Sequence, residues 1–210
     1  MKKKDAFYYV VLGLCKAFVK IFYPYEIQNG GKLPENQGVI VCSNHLSLVD
    51  PVFLNVTSNR MLHFMAKKEL FRNKLFGAII SKCGAFPVDR GHDGGKAIGK
   101  AEELLNDDNC IGIFIEGTRS KTGDLGRAHS GALVIAYETQ KPIVPCCITG
   151  KSGLIKPFKK TKIAYGEPLS CQDLGICEGT SKEYRAAGKI IMQKIAELRS
   201  KHREEFDGKS

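Results

Sequence analysis

The stretch CIGIFIE, residues 110–116, constrains the fold more than any other feature. It is short, apolar, β-branched and bounded by polar residues, the pattern of a strand buried on both faces. Comparable runs recur at GVIVCS (38–43), MLHFMA (61–66), AFPV (85–88), PIVPCCIT (142–149) and KIAYGEPL (162–169). Between them lie stretches of helical period: KELFRNKLFGAIISKCG (68–84), GGKAIGKAEELLND (94–107), SGALVIAYET (130–139) and an amphipathic run over 181–206. Asp50-Pro51 opens a further helix, since Asp caps well and Pro is tolerated in the first turn. Strands alternating with helices predict a single α/β domain whose mixed, largely parallel sheet is flanked by helices. Ligands of such sheets bind beyond the carboxyl ends of strands, so polar residues directly after a strand are the first candidates for a site.

A chain of 210 residues buries a sufficient core without disulfides. Its eight cysteines include Cys42, Cys110, Cys146 and Cys147 inside or beside apolar runs, and none forms a CxxC pair. They read as reduced structural thiols in a reducing compartment. The net charge of +10 calls for an anionic partner. No zinc-finger, RNA-recognition or repeat signature supports nucleic acid, which leaves an anionic membrane surface, where each Lys or Arg contributes on the order of 1 kcal/mol.

The first residues, MKKKDAFYYVVLGLCKAFVKIFYPYE, begin like a signal peptide, but no small-residue cleavage site is present after them. The uncharged run from Ala6 to Cys15 falls well short of the ~20 residues of a spanning helix. Lys16 and Lys20 share one helical face, while Phe7, Val11, Leu14, Phe18, Ile21 and Phe22 occupy much of the rest. Residues 1–30 are therefore expected to form an amphipathic membrane-associating segment, and 31–210 the folded domain.

The polar stretches after the strands carry the chemistry. In SNHLSLVDP (43–51), His45 ends one strand and Asp50 starts a helix. Within one continuous helix five residues would rotate the second side chain ~140° from the first, so the pair meets only if LSLV turns back at a strand-to-helix corner. There the carboxylate would orient the imidazole and stabilise it when protonated, leaving the other ring nitrogen as a general base. The bland alternative is a helix-capping Asp beside a loop His. GAFPVDR (84–90) places Arg90 after an extended piece, and FIEGTRS (114–120) places Glu116, Gly117, Thr118 and Arg119 after the best strand.

In order and approximate spacing, NHLSLVD, GAFPVDR, FIEGTRS and PIVPCCI (142–148) resemble the four blocks of the glycerolipid acyltransferase family. They look most like the bacterial 1-acyl-sn-glycerol-3-phosphate acyltransferase type, over roughly residues 36 to 167. The resemblance implies that His45 deprotonates an acceptor hydroxyl, which attacks an acyl thioester, while Asp50 orients the His. It implies that Arg119 binds the acceptor's phosphate in a pocket shaped by Glu116, Gly117 and Thr118. Arg90 becomes a second phosphate contact and Lys67 a further point charge; a guanidinium fork matches phosphate oxygens two at a time. The implied substrates are lysophosphatidic acid and acyl-CoA or acyl carrier protein, with no metal or other cofactor. The implied location is peripheral or monotopic on the cytoplasmic face of a bacterial membrane. Two departures stand out: Ile115 where the family often has Pro, and Ser130 where a Lys often precedes the Gly. They leave the reaction type in place and the acceptor open, glycerol 3-phosphate or another lysolipid being the alternative. A basic membrane-binding module without activity is the rival outside enzymes.

Other chemistries fit the sequence less well. TGKSG (149–153) comes after a strand like the end of a nucleotide loop, but Pro145 stands at its required first Gly. No GxSxG elbow is present, and His45 with Asp50 lacks a clustered third metal ligand.

Overall fold

The computed structural model describes residues 6–88 and 94–207. Helix α1 (Ala6–Phe22) leads into β1 (Tyr25–Gln28), β2 (Val39–Ser43), α2 (Asp50–Thr57), β3 (Leu62–Lys67), α3 (Lys74–Lys82) and β4 (Ala85–Val88). Next come α4 (Gly94–Asn106), β5 (Cys110–Phe114), α5 (Gly131–Thr139), β6 (Ile143–Gly150), β7 (Thr161–Tyr165) and α6 (Ser181–Asp207). The strands form one sheet in the order β1-β7-β6-β2-β5-β3-β4. Neighbours pair in parallel except β6 with β7, which run antiparallel. This is the mixed, largely parallel sheet expected from the alternation of strands and helices.

Helices cover both faces, which is why the central strands read as unbroken apolar runs. All five residues of β2 are buried, and their side chains divide by strand alternation. Ile40 and Cys42 join the core built with α4, α5 and α6, including Leu105, Leu133 and Ile191. Val39 and Val41 join the opposite core, with Val19 of α1 and Phe53 and Leu54 of α2.

Several boundaries differ from the sequence reading. The run 110–116 ends as a strand at Phe114, and Ile115-Glu116 already turn, although Ile115 N–H still donates to Ser43 O (3.1 Å). The expected helix 68–84 is two pieces, a single tight turn at Lys68–Phe71 and then α3. Asn73 makes the break: its backbone is extended and its side chain accepts from Phe76 N–H (3.0 Å), capping the new helix. Strand β1 has no counterpart in the sequence reading; it lies within the segment assigned to the amphipathic terminus and pairs with β7 at the sheet edge.

Helix α1 carries two apolar stripes. Tyr8 and Val19 are buried, with Leu12 and Cys15 half-buried, and this stripe seats the helix on the domain beside α2. The second stripe, Phe7, Val10, Leu14, Phe18 and Ile21, is exposed, Leu14 at 67%. No helix among the described residues is long and apolar enough to cross a membrane.

Candidate active site

Parallel pairing of β2, β5 and β3 brings their carboxyl ends to one rim. The segment after β2 does turn back. Asp50 Oδ2 accepts from His45 Nδ1 (2.7 Å) and from the backbone N–H groups of Leu46 (2.6 Å) and Ser47 (2.8 Å). Asp50 is therefore not a cap for α2: it lies in the first turn, where a carboxylate is favoured by the helix dipole, and bonds backward to the loop. Its side chain is fully buried, and Oδ1 has no partner among the described residues. A carboxylate only accepts, so Nδ1 carries the hydrogen and Nε2 is left as the basic nitrogen. The imidazole is 16% exposed, open enough for a substrate to reach.

Two supports fix the imidazole further. Its ring stacks on Phe114 (centroids 3.9 Å apart, planes 12° apart), and Phe114 stacks on Phe64 (5.7 Å, 17°). Phe64 in turn lies over Gly112, its register partner, where an added Cβ would come 2.2 Å from the Phe64 ring. Glycine at 112 thus lets an aromatic stack run across the sheet to the His45 corner. Asn44 clamps the loop from below: its Nδ2 donates to Ile148 O and its Oδ1 accepts from Ile148 N–H, both at 2.9 Å.

The segment after β5 folds onto the same corner. Ser120 N–H donates to His45 O (2.8 Å), so Arg119, the preceding residue, stands beside the imidazole's loop with its side chain exposed. Glu116 is 7% exposed, and its carboxylate faces the protein. Oε1 accepts from His45 N–H (3.2 Å) and Oε2 from Gly126 N–H (2.8 Å), so one carboxylate closes the β5–α5 loop on itself and ties it to the β2–α2 loop. Gly117 has φ +70, and an added Cβ would come 3.0 Å from the His129 ring. Glycine is required there on both counts. Thr118 is exposed on the same turn. Lys67 ends β3, paired in register with Val88 at the end of β4. Arg90 lies outside the described residues.

Sequence reasoning missed Phe114, Phe64, Gly112 and Asn44. Gly112 and Phe114 share one strand face, but their tie to Phe64 and His45 exists only once strands pair. Cys42 and Cys146 lie near the corner but are not available nucleophiles. Burial pushes the Cys42 thiol up to about 12 and raises that of Cys146 well above its ordinary value.

A buried carboxylate holding an imidazole, on a rim that the Arg119 segment shares, is an arrangement that can take a proton from a hydroxyl. The fold is that of an α/β protein whose candidate site lies at the carboxyl ends of its parallel strands. Residues 25–149 match the family model described as Acyltransferase, and the chain belongs to that family. Among its relatives, a 1-acyl-sn-glycerol-3-phosphate acyltransferase of Bacillus subtilis is 37% identical over 84% of this chain and 88% of its own. One of Streptococcus pneumoniae is 33% identical over 70% of this chain, which spans 56% of that relative's length. The crystal structure of the 1-acyl-sn-glycerophosphate acyltransferase from Thermotoga maritima superposes with a TM-score of 0.71 over 95% of this chain and 84% of that one. At 22% identity that likeness speaks to the fold.

Proposed function

We propose that this protein transfers a fatty acyl group from acyl-CoA or acyl carrier protein to the sn-2 hydroxyl of 1-acyl-sn-glycerol 3-phosphate, forming phosphatidic acid. The observation that carries the reading is the His45–Asp50 pair on the same corner as Arg119. His45 Nε2 takes the hydroxyl proton as the acceptor oxygen attacks the thioester carbonyl. Asp50 stabilises the imidazolium that forms. As the tetrahedral intermediate collapses, the carbon–sulfur bond breaks and the imidazolium returns its proton to the departing thiolate. The raised thiols of Cys42 and Cys146 favour this direct transfer over an acyl-cysteine intermediate. Arg119 holds the acceptor's phosphate, joined by Arg90 and Lys67, while Glu116 holds the loops in register. The exposed stripe of α1 lies in an anionic bilayer on the cytoplasmic side, where the thioester donors are made.

Thiol release from palmitoyl-CoA, monitored with and without lysophosphatidic acid, tests the reading. Release that requires lysophosphatidic acid, and exceeds that with glycerol 3-phosphate or neutral lysolipids, is expected. Release without any acceptor would make the protein a thioesterase; preference for glycerol 3-phosphate would move it to the preceding acylation.

A further inference from the structure

Strand β3 ends on the same rim as β2 and β5, and the chain continues from that rim beyond Lys67. The chain makes the tight turn Lys68–Phe71 and enters α3, exposing large apolar side chains: Leu75 at 75%, Phe76 at 47% and Leu70 at 44%. Leu48, in the loop between His45 and Asp50, is 74% exposed. Large apolar side chains exposed this close together along residues 70–76 mark an interaction site. The feature is also built to hold its shape. Gly77 packs against the Phe71 backbone, where an added Cβ would come 3.0 Å from Phe71 Cα, and Asn73 caps α3. Basic residues bracket the apolar ones: Lys68, Arg72 and Lys74 alternate with them, against the single acid Glu69.

Resting on the lysolipid acyl-transfer reading, we propose that residues 68–76 form a membrane wedge, distinct from α1, that seats the mouth of the active site on an anionic bilayer. Aliphatic and aromatic tips at the start of a capped helix enter the acyl boundary, while the flanking cations meet lipid headgroups. Helix α1 would hold the protein at the surface; the wedge would set the corner bearing His45 against it, with Leu48 alongside. An acidic carrier protein is the competing occupant. The geometry favours lipid, because the acceptor itself resides in the bilayer and must enter at this rim.

The experiment uses the full chain carrying Leu75→Glu and Phe76→Glu. Both sites are exposed, and acids in a helix's first turn are compatible with its dipole. A Leu75→Ala/Phe76→Ala pair separates lost apolar contact from added charge. Three readouts are taken: cosedimentation with phosphatidylglycerol vesicles, turnover of oleoyl-lysophosphatidate carried in those vesicles, and turnover of dispersed hexanoyl-lysophosphatidate. The Glu pair is expected to weaken vesicle binding and kcat/KM on the vesicle substrate by about tenfold or more. The Ala pair should do so less, and turnover of the dispersed substrate should be unchanged in both. Wild-type binding and vesicle turnover in the Glu pair overturns the wedge. So does equal loss on the dispersed substrate, or, when both turnover assays are repeated with acyl carrier protein and with CoA as donor, loss confined to the carrier-protein donor. If the wild type acylates no lysophosphatidate while the Glu pair still impairs vesicle binding, the substrate reading fails and the docking surface stands.

Discussion

Replacing Asp50 by Asn removes a charge while nearly preserving a shape. The Asn carbonyl can occupy the position of Oδ2 and still accept from His45 Nδ1–H and the Leu46 and Ser47 N–H groups, now 2.7, 2.6 and 2.8 Å from one oxygen. What disappears is the charge that, in the proposed mechanism, stabilises the imidazolium formed as the acceptor gives up its proton. A hydrogen bond to a charged group contributes ~1.5–3 kcal/mol, which at 1.36 kcal/mol per decade corresponds to a fall in kcat of about 10- to 200-fold. Folding should change little: Oδ1 lacks a partner among the described residues, and a neutral amide is less costly to bury than an ionised carboxylate. A Tm within about 4 °C of wild type is expected. The assay is thiol release at saturating acyl-CoA and lysophosphatidic acid, alongside a melting curve. A kcat within twofold of wild type would refute the orienting role. Unfolding of the variant would assign Asp50 to the fold rather than to the reaction.

Arg119→Ala should raise KM for lysophosphatidic acid by about 10- to 200-fold with little change in kcat, and Arg119→Lys should restore only part of it, since an ammonium lacks the bidentate fork. An unchanged KM would place the phosphate elsewhere. Glu116→Ala leaves the His45 and Gly126 N–H groups without an acceptor, at ~1–3 kcal/mol each, so both Tm and kcat should fall, and Glu116→Gln should recover one bond. Two unaffected readouts would remove Glu116 as the tie between loops. Alkali should destabilise the fold, because burial lifts Cys42 and Cys147 to about 12 and Cys110 to about 11 from 9.0. Above pH 9 the unfolded chain releases protons that the folded chain retains, so stability falls by ~1.4 kcal/mol per pH unit for each such thiol. A urea midpoint that stays flat from pH 8.5 to 10.5 would contradict this burial.

Much of the architecture is written locally. Parallel strands covered on both faces must be apolar throughout, so VIVCS and CIGIF announce themselves without knowledge of their neighbours. The break before α3 is also local, since Asn73 caps well, but a helical pattern on both sides masks it. Strand β1 is four residues at a sheet edge, only half-buried, and so lacks the apolar signature. At the candidate site, the meeting of His45 with Asp50 is legible because the two residues flank a strand-to-helix corner short enough to turn back on itself. Their supports are not. The stack from Gly112 through Phe64 and Phe114 to His45 depends on strand register, and the grip of Glu116 on two N–H groups depends on how loops far apart in sequence close over one another.

The account turns on His45 as the base, and the most direct measurement is the rate of phosphatidic acid formation by His45→Ala at saturating donor and acceptor. General-base assistance of ~10²–10⁴-fold predicts a kcat at least about a hundredfold lower, with an unaltered melting curve because the ring is partly exposed and outside both cores. A folded variant that keeps a tenth or more of the wild-type rate would contradict it.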